Sequence, residues 1–249
     1  IDNVCGHIEY GEGDEIIVTE AEHHSNIVPW QMLCQRKGAV LKVLPVDEDG
    51  YLILDKLECL LSDRTRLMCV THISNVLGII NPVKEIVSIC HSRNIPVLVD
   101  GAQGAVHCKV DVRDIDCDFY VFSGHKLYAA TGTGVLYGKK KWLDEMPPYM
   151  GGGEMVGTVT FAETTYAPLP MKFEAGTQNF ASAATLKPAI ELFNLLRDNK
   201  LEIYNNEIRD YLLDALTGDE RIRLFGVPRG TSEEKIPLFS FVVNGVHHE

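Results

Sequence analysis

Six short runs of almost wholly apolar residues punctuate the first part of the chain: Glu15–Thr19, Val40–Pro45, Leu67–Thr71, Val97–Asp100, Phe119–Phe122 and Gly134–Tyr137. None alternates apolar with polar. That is the pattern of strands covered on both faces, since neither side of the pleat meets water. Longer amphipathic segments lie between them. Ser25–Arg36 reads as a helix with Ser25 as its cap. Pro82–Arg93 reads as another, with Asn81 as cap and Pro82 at the first helical position. Its apolar residues Val83, Ile86, Val87 and Cys90 fall on one stripe. The alternation predicts an α/β fold built on a mostly parallel sheet flanked by helices.

The texture changes after Pro147. The stretch PPYMGGGEMVGTVTFAETTYAPLPMKFEAGTQN is rich in Gly, Thr and Pro and has no clear period, which predicts a long functional loop region. Helices are expected at Ala183–Arg197 and Ile203–Leu216, followed by strand-like IRLFG and LFSFVV. This divides the chain into a large domain over residues 1–180 and, over 181–249, a connecting helix with the beginning of a smaller α+β domain. The start lacks Met and opens on an apolar helical fragment, and the end follows directly on a strand-like run. Both ends read as cuts through a domain.

Composition narrows the partners. With 249 residues, 45% of them hydrophobic, the chain can bury a sizeable core. A formal net charge of -12 disfavours nucleic acid and anionic membrane, which both need a basic face. The basic run Lys139, Lys140, Lys141 reads as solvated surface. The seven cysteines (Cys5, Cys34, Cys59, Cys69, Cys90, Cys108, Cys117) are odd in number, form no C-x-x-C and sit mostly in apolar segments. They read as reduced core thiols of an intracellular, cytoplasmic protein. No apolar run reaches the ~18 residues of a membrane span, and no signal peptide precedes the first strand.

Ligands of open α/β sheets bind at the carboxyl ends of the strands. Here those ends carry Glu20-Ala21-Glu22-His23-His24, Thr71-His72-Ile73-Ser74-Asn75, Asp100-Gly101-Ala102-Gln103 and Ser123-Gly124-His125-Lys126. Asp100 after a buried strand has two readings, a cap for the next turn or an acid facing a cationic ring nitrogen. Lys126 sits at the exit of the next strand. An acid and a lysine so placed suit pyridoxal 5'-phosphate: the lysine forms the Schiff base, and the carboxylate keeps the pyridine nitrogen protonated so that the ring can accept electrons. His23 is a candidate for stacking on the ring, Ser123 and His125 for holding the phosphate, and Gly124 for close backbone approach.

Three other readings compete. TGTGVLYG contains G-x-G but lacks the final glycine of the dinucleotide fingerprint and leads into a strand, which argues against a nicotinamide enzyme. A metal site from His23, His24, His72 and His125 has no supporting motif. A non-enzymatic interaction module fits poorly with so many ionisable groups at strand exits for the full-length parent, though not for the 249-residue chain by itself.

The segments EHHSNIVPWQ, THISNVLG, VLVDGAQ, DCDFYVFSGHKLY and FEAGTQN, in this order, resemble the signature segments of cysteine desulfurases and selenocysteine lyases. These belong to the class-V aminotransferases, and the similarity is strongest to their Suf-type branch. It spans almost the whole chain, and SGHK within its longer run is its most specific part. The resemblance implies the large domain of a fold type I pyridoxal-phosphate enzyme. It implies Lys126 as the Schiff-base lysine and Asp100 on the pyridinium nitrogen. Gln103 would bond the phenolic oxygen, and His23 would stack on the ring. Asn75 would contact the substrate carboxylate, with Ser123 and His125 on the phosphate. Thr177 would reach the phosphate of a neighbouring subunit, so a homodimer is implied. The substrate class is L-cysteine or L-selenocysteine, and the implied further partner is a Suf-type sulfur acceptor feeding iron–sulfur cluster assembly. A selenocysteine lyase or another class-V enzyme stays open. The family's Gly-Thr-Thr phosphate turn would precede Ile1, and its catalytic cysteine would follow Glu249. Without that turn the 249-residue chain by itself is expected to hold the cofactor weakly or not at all, and, since none of the seven cysteines matches that motif, to lack desulfurase activity.

Overall fold

The computed structural model describes Ile1, Val4 and residues 10–247. The rest of the apolar N-terminal fragment, Cys5 included, and His248 lie outside the described residues. All six expected strands form: β1 (Glu15–Thr19), β2 (Val40–Leu44), β3 (Thr65–Thr71), β4 (Val97–Asp100), β5 (Phe119–Ser123) and β6 (Gly134–Gly138). They make one sheet in the order β2-β1-β3-β4-β5-β6. Pairings are parallel throughout except β5 with β6, which is antiparallel. Four helices among the described residues run nine residues or longer: α1 (Val28–Lys37), α2 (Val83–His91), α3 (Leu186–Asp198) and α4 (Leu201–Thr217).

The unbroken apolar strands follow from burial on both faces. Ile17, Met68, Val70, Val97, Val99 and Tyr120 pack on one side with the α2 stripe of Val83, Ile86, Val87 and Cys90. Ile16, Val18, Leu67, Cys69, Leu98 and Phe119 pack on the other with Trp30, Leu33 and Cys34 of α1. Neighbouring residues of a strand point to opposite faces, so each run feeds two cores at once. The chain leaves β1 for the β2 edge with α1 on one face. It leaves β3 for β4 with α2 on the other. The sheet therefore has its topological switch point between β1 and β3, where a crevice opens at the carboxyl ends.

Three local expectations are corrected. Asn81 does not cap α2: its side-chain amide donates to the Thr71 carbonyl at 2.8 Å, tying the loop to the end of β3, and Pro82 precedes the helix without a side-chain cap. Ser25 is not the cap of the helix after β1. A 3-10 turn, His24–Asn26, intervenes, and His23 caps it by accepting from the Ser25 backbone N–H at 3.2 Å. The expected loop after Pro147 contains an antiparallel hairpin, β7 (Val156–Val159) with β8 (Thr164–Tyr166). The two late strands form as β9 (Ile222–Phe225) and β10 (Ser240–Val243), an antiparallel pair separate from the main sheet. No helix among the described residues is long and apolar enough to cross a membrane.

Ile86 is fully buried beneath the sheet. Ile86→Ala is expected to cost about 2–5 kcal/mol of unfolding free energy in urea titrations. Lys84→Ala, on the exposed side of the same helix, is expected to cost less than about 1 kcal/mol, because its ion pair with Asp114 lies in solvent.

Candidate active site

A cleft of about 950 Å³ opens at the carboxyl ends of β3, β4 and β5, lined by Thr71, Asp100 and Ser123 from the strand termini themselves. The exit of β1 contributes His23, that of β3 Asn75, that of β4 Gln103, and that of β5 His125 and Lys126. Seven of the eight residues singled out from the sequence therefore share one cavity. Thr177 does not line it and is exposed ahead of the short helix Phe180–Ala184. Met150, Phe173 and Glu174, from the region after Pro147, complete the wall.

Lys126 lies on a 3-10 turn, Gly124–Leu127, that follows β5 directly and closes with Tyr128 in a left-handed conformation at φ 63°. The turn is pinned where Gly124 N–H donates to the Thr133 carbonyl at 2.9 Å. Gly124 is needed for packing within the chain: a Cβ there would stand 2.6 Å from the Thr133 hydroxyl and 3.2 Å from Leu186. No hydrogen bond or ion pair to a described residue holds the Lys126 amine. The same holds for the side chains of Asn75, Gln103, Ser123 and His125. A cavity lined by polar groups with uncommitted donors and acceptors is built to take a polar ligand.

Asp100 is 5% exposed and meets the first of its two readings, that of a cap. Its Oδ1 accepts from Ala102 N–H at 2.9 Å and so caps the turn after β4. Its Oδ2 takes no hydrogen bond from a described residue. β4 and β5 are hydrogen-bonded neighbours, so Asp100 and the Lys126 turn emerge side by side. His23 Nδ1 accepts from Ser25 N–H and lies 2.8 Å from Ser25 Oγ. That nitrogen must therefore keep its lone pair, and the neutral ring carries its proton on Nε2.

Two buried groups behind the cleft escaped the sequence reading. Glu22 accepts from Thr19 Oγ1 at 2.6 Å and Thr71 N–H at 2.7 Å on Oε1, and from Asn26 Nδ2 at 2.7 Å on Oε2. Burial pushes its carboxyl up to about 7. The three hydrogen bonds work against that rise, and the negative charge of Asp100 adds to it. The spacing of Glu22, Asn26 and Trp30, four residues apart each time, was the legible sign of this ladder. His72 was grouped with the other histidines as a metal alternative. Its Nδ1 instead lies 2.9 Å from the Tyr120 hydroxyl, and burial pulls its pKa down to about 4. Among the described residues no three His, Cys, Asp or Glu side chains come together as metal ligands. The His72–Tyr120 pair fills the space under the turn that bears Gln103, where Gly101 and Gly104 leave no room for a Cβ.

A mostly parallel sheet between helical layers, with this cleft at its carboxyl edge, is the large-domain fold of the fold type I pyridoxal-phosphate enzymes. The chain belongs to the class-V aminotransferases, whose family description, Aminotransferase class-V, matches residues 2–249. It is 46% identical over 247 residues to the cysteine desulfurase of Cronobacter sakazakii, covering 99% of this chain and 59% of that protein. Among solved structures it is similar to the cysteine desulfurase CsdA of Escherichia coli in its S-sulfonic acid form, with a TM-score of 0.90 and 39% identity over 100% of this chain and 61% of that one. It is also similar to a mutant of C-DES with glycine covalently linked to the PLP cofactor, with a TM-score of 0.84 and 25% identity over 98% of this chain and 64% of that one. The chain thus spans about three fifths of the length of these relatives.

Gly104→Ala would place a Cβ 2.4 Å from His72 Nδ1 and 2.6 Å from the Tyr120 hydroxyl. It is expected to lower stability by about 1–3 kcal/mol in chemical denaturation. Gly151→Ala, with nothing within 4 Å, is expected to stay within about 0.5 kcal/mol of the parent.

Proposed function

We propose that the full-length protein is a pyridoxal-phosphate-dependent cysteine desulfurase, converting L-cysteine to L-alanine and passing the sulfur to an enzyme cysteine as a persulfide. The observation that carries this reading is the pair at the exits of β4 and β5. There a lysine amine and a carboxylate oxygen, neither bonded to a described residue, line the same cleft as five further polar side chains of matching chemistry. The relatives named cysteine desulfurase support the choice within the family.

The residues present fit the cofactor. Bound in the cleft, it would supply the electron sink for a carbanion at the substrate Cα. Lys126 would anchor it covalently and, once released, move the proton at Cα. Asp100 Oδ2 would hold the proton on the pyridine nitrogen, while its Oδ1 stays fixed by Ala102 N–H. Gln103 would bond the phenolic oxygen, Ser123 and His125 the phosphate, and Asn75 the substrate carboxylate. His23, its ring oriented through Ser25, would cover the ring face.

On this reading the working form is a cytoplasmic homodimer. Thr177, exposed and away from its own cleft, would complete the phosphate site of the other subunit. A Suf-type acceptor would take the sulfur on to iron–sulfur cluster assembly. Residues 181–249 would form a connecting helix and the start of a smaller domain, a division supported by the separate β9–β10 sheet.

Two variants of the full-length enzyme test the pair. Lys126→Ala should abolish both the visible absorbance of the bound cofactor and sulfide release from cysteine. Sustained turnover by the purified variant would refute the role of the lysine. Asp100→Asn should cut kcat by about a hundredfold or more while lowering cofactor retention far less, because the ring nitrogen loses its proton but the turn keeps a cap. Parallel loss of rate and retention in cofactor titrations would reduce Asp100 to a structural cap.

A further inference from the structure

The ladder behind the cleft can run in only one direction. The Trp30 indole N–H can only donate, so Asn26 must turn Oδ1 toward it, at 3.0 Å. The Asn26 amide then faces Glu22 Oε2 as a donor, at 2.7 Å. The Thr71 backbone N–H, also a donor only, faces Oε1 at 2.7 Å. Both carboxyl oxygens are thus fixed as acceptors by groups that cannot reverse. The Thr19 hydroxyl is the one neighbour able to donate or accept, so a proton on Glu22 fits on Oε1 toward Thr19 with the other contacts intact. A glutamine does not fit. Whichever way it turns, its NH2 meets a donor, in a site where Glu22 is 7% exposed and Asn26 and Trp30 are fully buried.

The position of this clamp matters. Glu22 belongs to the exit of β1 and Thr71 ends β3, so their bond closes the switch point of the sheet. Asn26 ends the 3-10 turn that His23 caps. Glu22 and Asn26 therefore flank the segment bearing His23 on both sides and anchor it to the neighbouring strand.

We propose that Glu22 is a positioning residue: its two oxygens lock the turn after β1 to the end of β3 and so fix where the His23 imidazole stands in the cleft. The proposal rests on the reading of His23 as the group that covers the cofactor ring. It is distinct from that reading because it assigns the placement of His23 to the hydrogen-bond polarity of a chain ending at Trp30.

That polarity supplies the test. In the full-length holoenzyme, Glu22→Gln should weaken the visible circular dichroism band of the bound cofactor and lower kcat about tenfold, both in the direction of His23→Ala. It should also lower the thermal midpoint of the cofactor-free protein. Adding Trp30→Phe removes the obligate donor and lets the Asn26 amide reverse and accept from the glutamine. The band and the rate should recover towards the parent, while the midpoint stays low because the reversed Asn26 amide donor is buried without an acceptor and the smaller ring leaves a void. The proposal is overturned if Glu22→Gln keeps the parental band and midpoint while His23→Ala loses the band. It is equally overturned if the double variant is no better than Glu22→Gln in band and rate. A parental band and rate in His23→Ala would sink the reading of His23 itself, and the consequence assigned to Glu22 with it.

Discussion

A parallel sheet covered on both faces has no place for a charge along its strands. Burying an ionised group there would cost several kcal/mol without a partner. The chain meets that constraint by keeping the middles of β1, β3, β4 and β5 apolar on both sides and confining their charges to the strand ends, where Glu15 and Arg66 pair with Lys42 and Asp14 at the amino ends and Asp100 stands at a carboxyl end. The cleft follows from this arrangement. Helices α1 and α2 pack on opposite faces, the connections part between β1 and β3, and the strand exits converge on an edge that neither helix layer covers.

The two ends of the sheet treat their carboxylates differently, and the contrast marks the functional edge. At the amino end, just before β5, Asp118 is 1% exposed and both its oxygens are committed. Oδ2 accepts from Val97 N–H and lies 2.7 Å from His91 Nε2, while Oδ1 accepts from Trp142 Nε1–H. That carboxylate is a structural knot joining α2, β4 and the segment after β6. At the carboxyl end Asp100 is nearly as buried, yet its Oδ2 takes no hydrogen bond from a described residue. An acceptor left open on the wall of a cleft remains free to take a donor from a ligand.

Precision at the cleft comes from a layer of residues that never line it. Glu22 binds across the switch point, and the His72–Tyr120 pair supports the turn bearing Gln103. Thr133 and Leu186 press against Gly124 beneath Lys126. Each holds a backbone turn rather than a reacting group. In such surroundings a one-atom change at Glu22 or Gly104 reaches the cleft through the backbone.

Much of this was legible in the sequence because it is local. The two-sided burial of the strands shows in their unbroken apolar runs, and the buried face of α2 shows in the stripe from Val83 to Cys90. The chemistry of the cleft shows in which residues follow each strand, since a chain that leaves a buried strand must expose its next polar groups nearby. Tertiary structure decided what depends on partners far along the chain. Asn81 reads as a cap until the Thr71 carbonyl comes within its reach, and the packing need for Gly124 shows only when Thr133 and Leu186 occupy the space beside it. Glu22 is one acid among several until folding brings the Thr71 N–H, 49 residues away, against its carboxylate. Residue order along the chain sets periodicity and strand exits. Which donor meets which acceptor is set only when the sheet closes, because those pairs form across strands rather than along them.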